Sequence, residues 1–568
     1  MLYSGFEAAL RALGRPITNR PQVRNLPHLA FGFFLSFGCF AQTPVIVISI
    51  DTLRADHLGV HTPNIDSFGD SGTTFTSADT QIPFTLPSHT TLMTSTYPFQ
   101  SGVEENAGSV PPALTTLASV LQGHGYRTAA FIGSIFLERE LGLDRGFDTY
   151  DSPFSFEAFS KLSGSMLFAG GPHNPYSVRE RRPGALVLLA AKRWMAVHQG
   201  QPVFVFIHLF DVHKPYQLAS YDAEVDSVDK LLGGFADTLK KEGWWNKSLI
   251  AITADHGEGL GDHGESDHGY FVYESTLHVP LIVHWPEGAA PLPARVDDPI
   301  GLIDVAPTIL NFLKIPIPPS FRGAGYRPAD NHPILSESTY GRDCFGWAPL
   351  RAIRQGALKY IEAPKPELYN LTKDPKEQTN LIATDPTDAA KLRSQLQNLL
   401  VVQPNSDQPD PNRNAILKSL GYLAPGPRAA EPPKPADPKD KLPELLRYED
   451  ALNLMEDKRY DAAIAILKKI LITDETNLLA RRDLGVALLE KHAYEQALRE
   501  LQRVAGASSD DYVTRYELGV AQEGLGHLPE ALNQFEFACR IAPAATQCKD
   551  ATARVREKIS TPGPEHPL

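Results

Sequence analysis

Val45-Ile46-Val47-Ile48-Ser49-Ile50-Asp51 is a nearly unbroken apolar run that ends in an acid. Such a run reads as a central strand with both faces covered. Two more segments share the pattern. Val203 to Phe210 leads into Asp211 and His213, and Ser248 to Ala254 leads into Asp255 and His256. Helices are predicted at 113–124, 183–198 and 223–241, so strands and helices alternate from about 43 to 382. The fold class that follows is α/β, a mostly parallel central sheet covered by helices on both faces.

At 568 residues, with 42% apolar and 21% charged side chains, the chain is ordinary and globular but too long for one core. Its net charge of −13 gives no basis for binding nucleic acid or an anionic membrane. An anionic substrate needs local positive charge, which a metal ion supplies. Arg11, Arg15, Arg20 and Arg24 precede an apolar run, Leu29 to Phe40, and a small Ala41. This predicts a signal peptide over 1–41 and an exported protein, periplasmic or secreted. The run is shorter than the ~20 residues that span a bilayer. The four cysteines make no metal-binding pair, although Cys539 and Cys548 flank a predicted helix turn where a bridge can form.

A catalytic core is predicted over 43–330 and a small C-terminal sheet subdomain over 331–402, with strands at 358–361 and 367–371. A Pro-rich linker follows over 403–443, with a short helix at 416–423. The last segment, 444–568, repeats. Ala463, Ala497 and Ala531 are spaced by 34, as are Ala451, Gly485 and Gly519. Phe535, Ala538 and Pro543 complete the third unit. That period, with small residues where two helices cross, is the tetratricopeptide signature: an all-α solenoid of three units plus a capping helix.

The acids and histidines after the three central strands converge on one crevice, because open α/β sheets place it at the strands' carboxyl ends. Carboxylates and imidazoles gathered there need a cation to join them. Thr85-Leu86-Pro87-Ser88-His89 adds a hydroxyl. Pro87 suits a first helical turn, which puts Thr85 at or just before the N-cap, near amides that favour an oxyanion. A hydroxyl bound to a metal there becomes a nucleophile.

These segments resemble, in order, the motifs of the sulfatase branch of the alkaline-phosphatase superfamily. They are Ile48-Ser49-Ile50-Asp51, the Thr85-x-Pro87-Ser88 element, His208-x-x-Asp211-x-His213-x-Pro215-Tyr216, and Thr253-Ala254-Asp255-His256-Gly257-Glu258. Asp262-His263-Gly264, His268-Gly269-Tyr270, His278-Val279-Pro280, Asp304-Val305-Ala306-Pro307-Thr308 and Glu367-Leu368-Tyr369-Asn370-Leu371 continue the series. The resemblance covers about 43–385. It implies an alkaline-phosphatase-like fold and metal ligation by Asp51, Asp255 and His256. Thr85 takes the position of the metal-bound nucleophile. His213 and His268 fall where the family holds the substrate's anionic oxygens and protonates the leaving group. Asp211 orients His213 or, with it, holds a second metal. By sequence position Arg54 and His89 are also candidates to touch substrate.

The departures are specific. Sulfatases with aldehyde chemistry carry Cys or Ser, oxidised to formylglycine, where this chain has Thr85; oxidised threonine is a ketone, so that route is closed. The family's second early Asp is Thr52, its Gly-Lys-x-His segment has no match near Gly133, and its later substrate Lys is His268. Threonine nucleophiles resemble those of phosphodiesterases and phosphoethanolamine or glycerophosphate transferases. The expectation is therefore a metal-dependent hydrolase of sulfate or phosphate/phosphonate esters. It would use one or two divalent ions, Zn, Mn or Ca, with mixed nitrogen and oxygen ligands leaning to Zn or Mn. Its substrate is a small-molecule, glycan or lipid ester. The tetratricopeptide groove either binds a protein partner, packs on the catalytic unit, or mediates self-association. Alternative readings are an inactive sulfatase-like scaffold presenting the repeats, and an envelope phosphoryl-group transferase.

Overall fold

The three apolar runs lie side by side. In the computed structural model, which describes residues 42–106, 108–154, 181–289, 291–328, 332–401, 434–507, 511–541 and 546–560, they are strands of one sheet. The expected signal peptide, the helix at 416–423 and Pro543 lie outside the described residues. The sheet is built from β1 (Val45–Ile50), β2 (Gly72–Asp79), β3 (Arg127–Phe131), β4 (Thr149–Asp151), β5 (Val203–Leu209), β6 (Leu249–Thr253), β7 (His278–His284), β8 (Arg295–Val296) and β9 (Ile300–Gly301). The order is β4-β3-β5-β1-β6-β7-β2-β8, with β9 also on β2. Only β7 runs against its neighbours.

Every residue of β1, β5 and β6 is buried, which is why their sequences are continuous rather than alternating. The register pairs Ser49 with His208 on one side and Thr253 on the other, so the three carboxyl ends finish level. Helices cover the sheet. Tyr221–Lys241 turns Val225, Val228, Leu232, Phe235 and Leu239 inward at helical spacing. It starts two residues earlier than the sequence predicts, because the Ser220 hydroxyl accepts from the Ala223 amide as N-cap.

A second, antiparallel sheet follows: β10 (Ile334–Ser338), β11 (Leu350–Gln355), β12 (Leu358–Glu362) and β13 (Glu367–Asn370), with helix Pro386–Leu400 packed on it. Buried ion pairs tie it to the main sheet. Arg354 donates to Asp79 on β2 at 2.8 and 2.9 Å, and Lys359 reaches Glu274 at 2.8 Å and Glu377 at 2.9 Å. Residues from 434 on, expected as linker, are also fixed here. Ala348 N–H donates to the Ala436 carbonyl and Lys365 N–H to Asp437 Oδ2, each at 2.9 Å.

The C-terminal array has seven helices among the described residues: Leu442–Glu456, Tyr460–Thr473, Leu478–Glu490, Tyr494–Ala507, Tyr512–Gly524, Leu528–Ile541 and Thr546–Ser560. The repeat spacing has a steric reason. A Cβ on Gly485 would lie 2.6 Å from Leu501, and one on Gly519 would lie 2.6 Å from Phe535, the equivalent contact 34 residues on. Cys539 and Cys548 are joined, clipping the last helix to the one before it. No described helix is long and apolar enough to cross a membrane.

Two glycine-to-alanine changes should therefore move stability in opposite directions. Gly506 sits in a helix with nothing near its missing Cβ, so Gly506→Ala should stabilise the array by ~0.5–1 kcal/mol. Gly519→Ala drives a methyl into a fully buried ring and should destabilise it by ~1–3 kcal/mol despite better helix propensity. Thermal unfolding followed by circular dichroism checks both signs.

Candidate active site

β1 and β6 release the chain at adjacent points, and the two acids that follow meet. Asp51 and Asp255 are almost completely buried, and with His256 they bring three ligand atoms within 4.8 Å of one another. The backbone holds them rigidly. Thr52 takes a left-handed conformation (φ 59°), costly for a β-branched residue, and its N–H donates to Asp255 Oδ1 at 3.2 Å. Asp255 Oδ1 also accepts from the His256 amide at 2.9 Å.

Three atoms are left over. Asp51 Oδ1, Asp255 Oδ2 and His256 Nε2 are buried and have no hydrogen-bond partner among the described residues. The histidine tautomer sharpens this. His256 Nδ1 lies 2.9 Å from the Gly257 carbonyl, which only accepts, so Nδ1 carries the proton. Nε2 then offers a bare lone pair 3.5 Å from Asp255 Oδ2, acceptor facing acceptor. A cation satisfies that pair, and a carbonyl behind a ligating imidazole is the usual support of a metal site. Burial pushes the Asp51 carboxyl above the ordinary range, against the pull of His256 and His268, so charge here needs an external partner. The residues present fit a divalent metal.

Thr85 lies beside this set. Its Oγ1 is 3.4 Å from Asp51 Oδ2 and fully buried. Helix Thr85–Thr94 begins at Thr85 itself, with Phe84 as N-cap, so Pro87 is the third helical residue. Pro87 has no N–H and the Leu86 amide is taken by Asn106 Oδ1 at 2.9 Å, which leaves the Thr85 amide of these three.

His268 and His213 close the other side. The His268 ring is 4.3 Å from that of His256 and 5.2 Å from that of His213. Its Nδ1 lies 2.9 Å from Asp267 Oδ1 and 3.2 Å from Glu258 Oε1. Burial alone would lower its pKa, but Glu258 and Asp267 override it and hold the ring protonated well above the usual range. His213 differs. Burial, then the His268 charge, keep it neutral, with Nδ1 on the Lys214 carbonyl and the ring stacked on Phe210.

The other candidates serve different ends. Asp211 Oδ1 accepts from the Gly184 amide at 2.9 Å, anchoring the start of helix Gly184–Val197, and Asp211 joins none of the ligand clusters among the described residues. Arg54 is spent on Asp56 and Asp262, at 2.7 and 2.8 Å, rather than facing a substrate. His89 is fully buried, with Nδ1 on the Thr85 carbonyl at 2.7 Å and Nε2 on the Ser49 hydroxyl at 2.9 Å. Burial lowers its pKa to about 3. Because Nδ1 must carry the proton, His89 neither binds metal through that atom nor reaches substrate. It braces helix Thr85–Thr94 against β1. His208, not among the sequence's candidate site residues, places Nε2 3.3 Å from Asp51 Oδ2. Its place at the head of the His208-x-x-Asp211-x-His213 motif was the available signal.

Residues 43–315 match the sulfatase family model, and 454–514 match a tetratricopeptide repeat model. The chain carries a sulfatase domain. Bovine arylsulfatase K is 27% identical over 198 residues, 32% of this chain and 36% of that protein. The rat enzyme is 24% identical over 449 residues, 63% of this chain and 78% of that one. The crystal structure of a phosphonate monoester hydrolase of Agrobacterium radiobacter superposes with a TM-score of 0.50 at 18% identity. That match covers 63% of this chain and 95% of that one. The sulfatase fold thus places the two acids, the imidazole and the hydroxyl together.

Asp255→Asn and His256→Ala should each weaken metal affinity by about 100-fold or more, since they remove atoms that have no other partner. Elemental analysis of the purified wild type should show bound divalent ion, and both variants should have lost it after dialysis. Retention at wild-type level in either variant would exclude the assigned ligand.

Proposed function

We propose that this sulfatase-domain chain hydrolyses sulfate or phosphate/phosphonate esters, with Thr85 as nucleophile and a divalent cation on Asp51, Asp255 and His256. The observation that carries it is the Thr85 hydroxyl at 3.4 Å from Asp51, beside three buried atoms that lack a partner. A cation there would draw charge from the transferring group as a Lewis acid; mixed nitrogen and oxygen donors favour Zn or Mn over Ca.

The chain's own residues do the rest. Asp51 Oδ2 receives the Thr85 proton as Oγ1 bonds to sulfur or phosphorus. The bond from that centre to the alcohol oxygen breaks, and the leaving oxygen takes a proton from His268, whose Nδ1 is steadied by Asp267 and Glu258. Neutral His213 accepts a hydrogen bond from the second-step water. As that water attacks, the bond from sulfur or phosphorus to Oγ1 breaks and Asp51 returns its proton to Oγ1. The water's proton goes to His268, left neutral by the first step, and the acid is released. Because Thr85 cannot become an aldehyde, the intermediate is an ordinary ester that needs water to leave.

Parallel assays on aryl sulfate, phosphate monoester, phosphodiester and phosphonate monoester test this. Thr85→Ala should lower kcat on the best of them by about a thousandfold or more with metal still bound. Intact turnover in that variant would remove Thr85 from the mechanism.

Export is part of the same reading. It is supported by the charged and apolar N-terminal pattern and by the Cys539–Cys548 bridge, which suits an oxidising compartment. Cell fractionation with N-terminal sequencing should find the mature chain outside the cytoplasm, beginning near residue 42. A cytoplasmic chain beginning at Met1 would count against it.

A further inference from the structure

The inner face of the helical array is already filled. In such stacks the first helix of each pair lines the concave surface. Leu452 and Val486, 34 residues apart on the first helices of two successive pairs, are buried in one cluster with Cys344, Phe345 and Trp347. These three come from the sulfatase side of the chain. Phe345 meets the Tyr448 ring edge-on at 5.7 Å and stacks on Trp347 at 4.4 Å. Helix Leu478–Glu490 is buried at every residue from Leu478 to Leu489, which an open groove would not allow.

The same segment reaches the nucleophile by two routes. Tyr340, at the start of helix Tyr340–Phe345, contacts Phe84 at 5.8 Å between ring centres, and Phe84 is the N-cap of helix Thr85–Thr94. Arg342 pairs with Glu104 at 2.7 Å; two residues on, Asn106 caps the Leu86 amide of that helix. A third tie comes from the array directly. Tyr270, two residues beyond His268, packs against the same cluster as Tyr448 and Leu452.

We propose that the array is a clamp on the active site: its concave face takes the chain's own Tyr340–Trp347 segment as ligand and, through it, fixes the start of the helix that presents Thr85. Phe345, Tyr448 and Arg342 are then positioning residues. The positioning half rests on Thr85 being the nucleophile; the occupancy half does not. A free protein partner for this part of the groove is excluded while the segment is seated.

The test uses the full chain in a Cys39→Ser background, where Cys344 is the free thiol and the Cys539–Cys548 bridge stays closed. Native Cys344 should resist maleimide. Phe345→Ala should expose it, speed amide exchange over 85–90, and lower kcat by about tenfold or more with a smaller change in KM. Exchange in β1, β5 and β6 should stay as in the wild type. Arg342→Met cuts one tie alone, so it should speed exchange at Leu86 while Cys344 stays protected. Rapid labelling of native Cys344 overturns the occupancy. Unchanged exchange over 85–90 in both variants overturns the positioning. A chain inactive on all four esters leaves these readings intact, so the two ideas fail separately.

Discussion

Two carboxylates and an imidazole lone pair are held face to face in the buried interior of the chain. Burying one unpaired carboxylate already costs several kcal/mol; here strand register forces two together. β1 and β6 are parallel neighbours that end level, so Asp51 and Asp255 have nowhere else to go. The surrounding bonds deepen the demand. Thr52 and His256 amides fix one oxygen of Asp255, Gly257 fixes the tautomer of His256, and the atoms left free point at one another. A divalent cation, which these donors fit, would offset that cost, and the Thr85 hydroxyl lies beside the set.

The second layer is arranged around that demand. His89 spans the gap between β1 and helix Thr85–Thr94 with both ring nitrogens committed. His268 draws its positive charge from Glu258 and Asp267, while His213, one ring away, is left neutral. Two imidazoles of similar exposure thus have opposite characters: Glu258 and Asp267 hold the charge on His268, and that charge adds to burial in keeping His213 neutral. The net charge of −13 says nothing of this, since the positive site is local.

Much of the framework was legible in the sequence because burial on both faces leaves an unmistakable apolar run. β1, β5 and β6 fall within a residue or so of their predicted ends, and the array's period survives because Leu501 and Phe535 leave no room for a side chain at Gly485 and Gly519. The side-chain assignments fared unevenly. Asp51, Asp255, His256 and Thr85 converge as expected. Asp211 and Arg54 do not serve as expected, because spacing gives no hint that a helix amide at Gly184 or the acids Asp56 and Asp262 compete for them. His89 looked like a substrate contact from its neighbours; its i to i+4 bond to Thr85 turns it inward. The order of Phe84, Thr85 and Pro87 misled by one position, since an aromatic N-cap carries no capping oxygen to announce itself.

Thr52 has a consequence for how this chain tolerates change. A left-handed β-branched residue carries strain of about 1–3 kcal/mol, so glycine or asparagine there would ease the backbone. Yet the same twist aims the Thr52 amide at Asp255. Relaxing the turn would gain thermal tolerance and loosen Asp255 Oδ1, whose anchoring sets the direction of the unpartnered Oδ2. At this one residue, robustness and reactivity pull against each other.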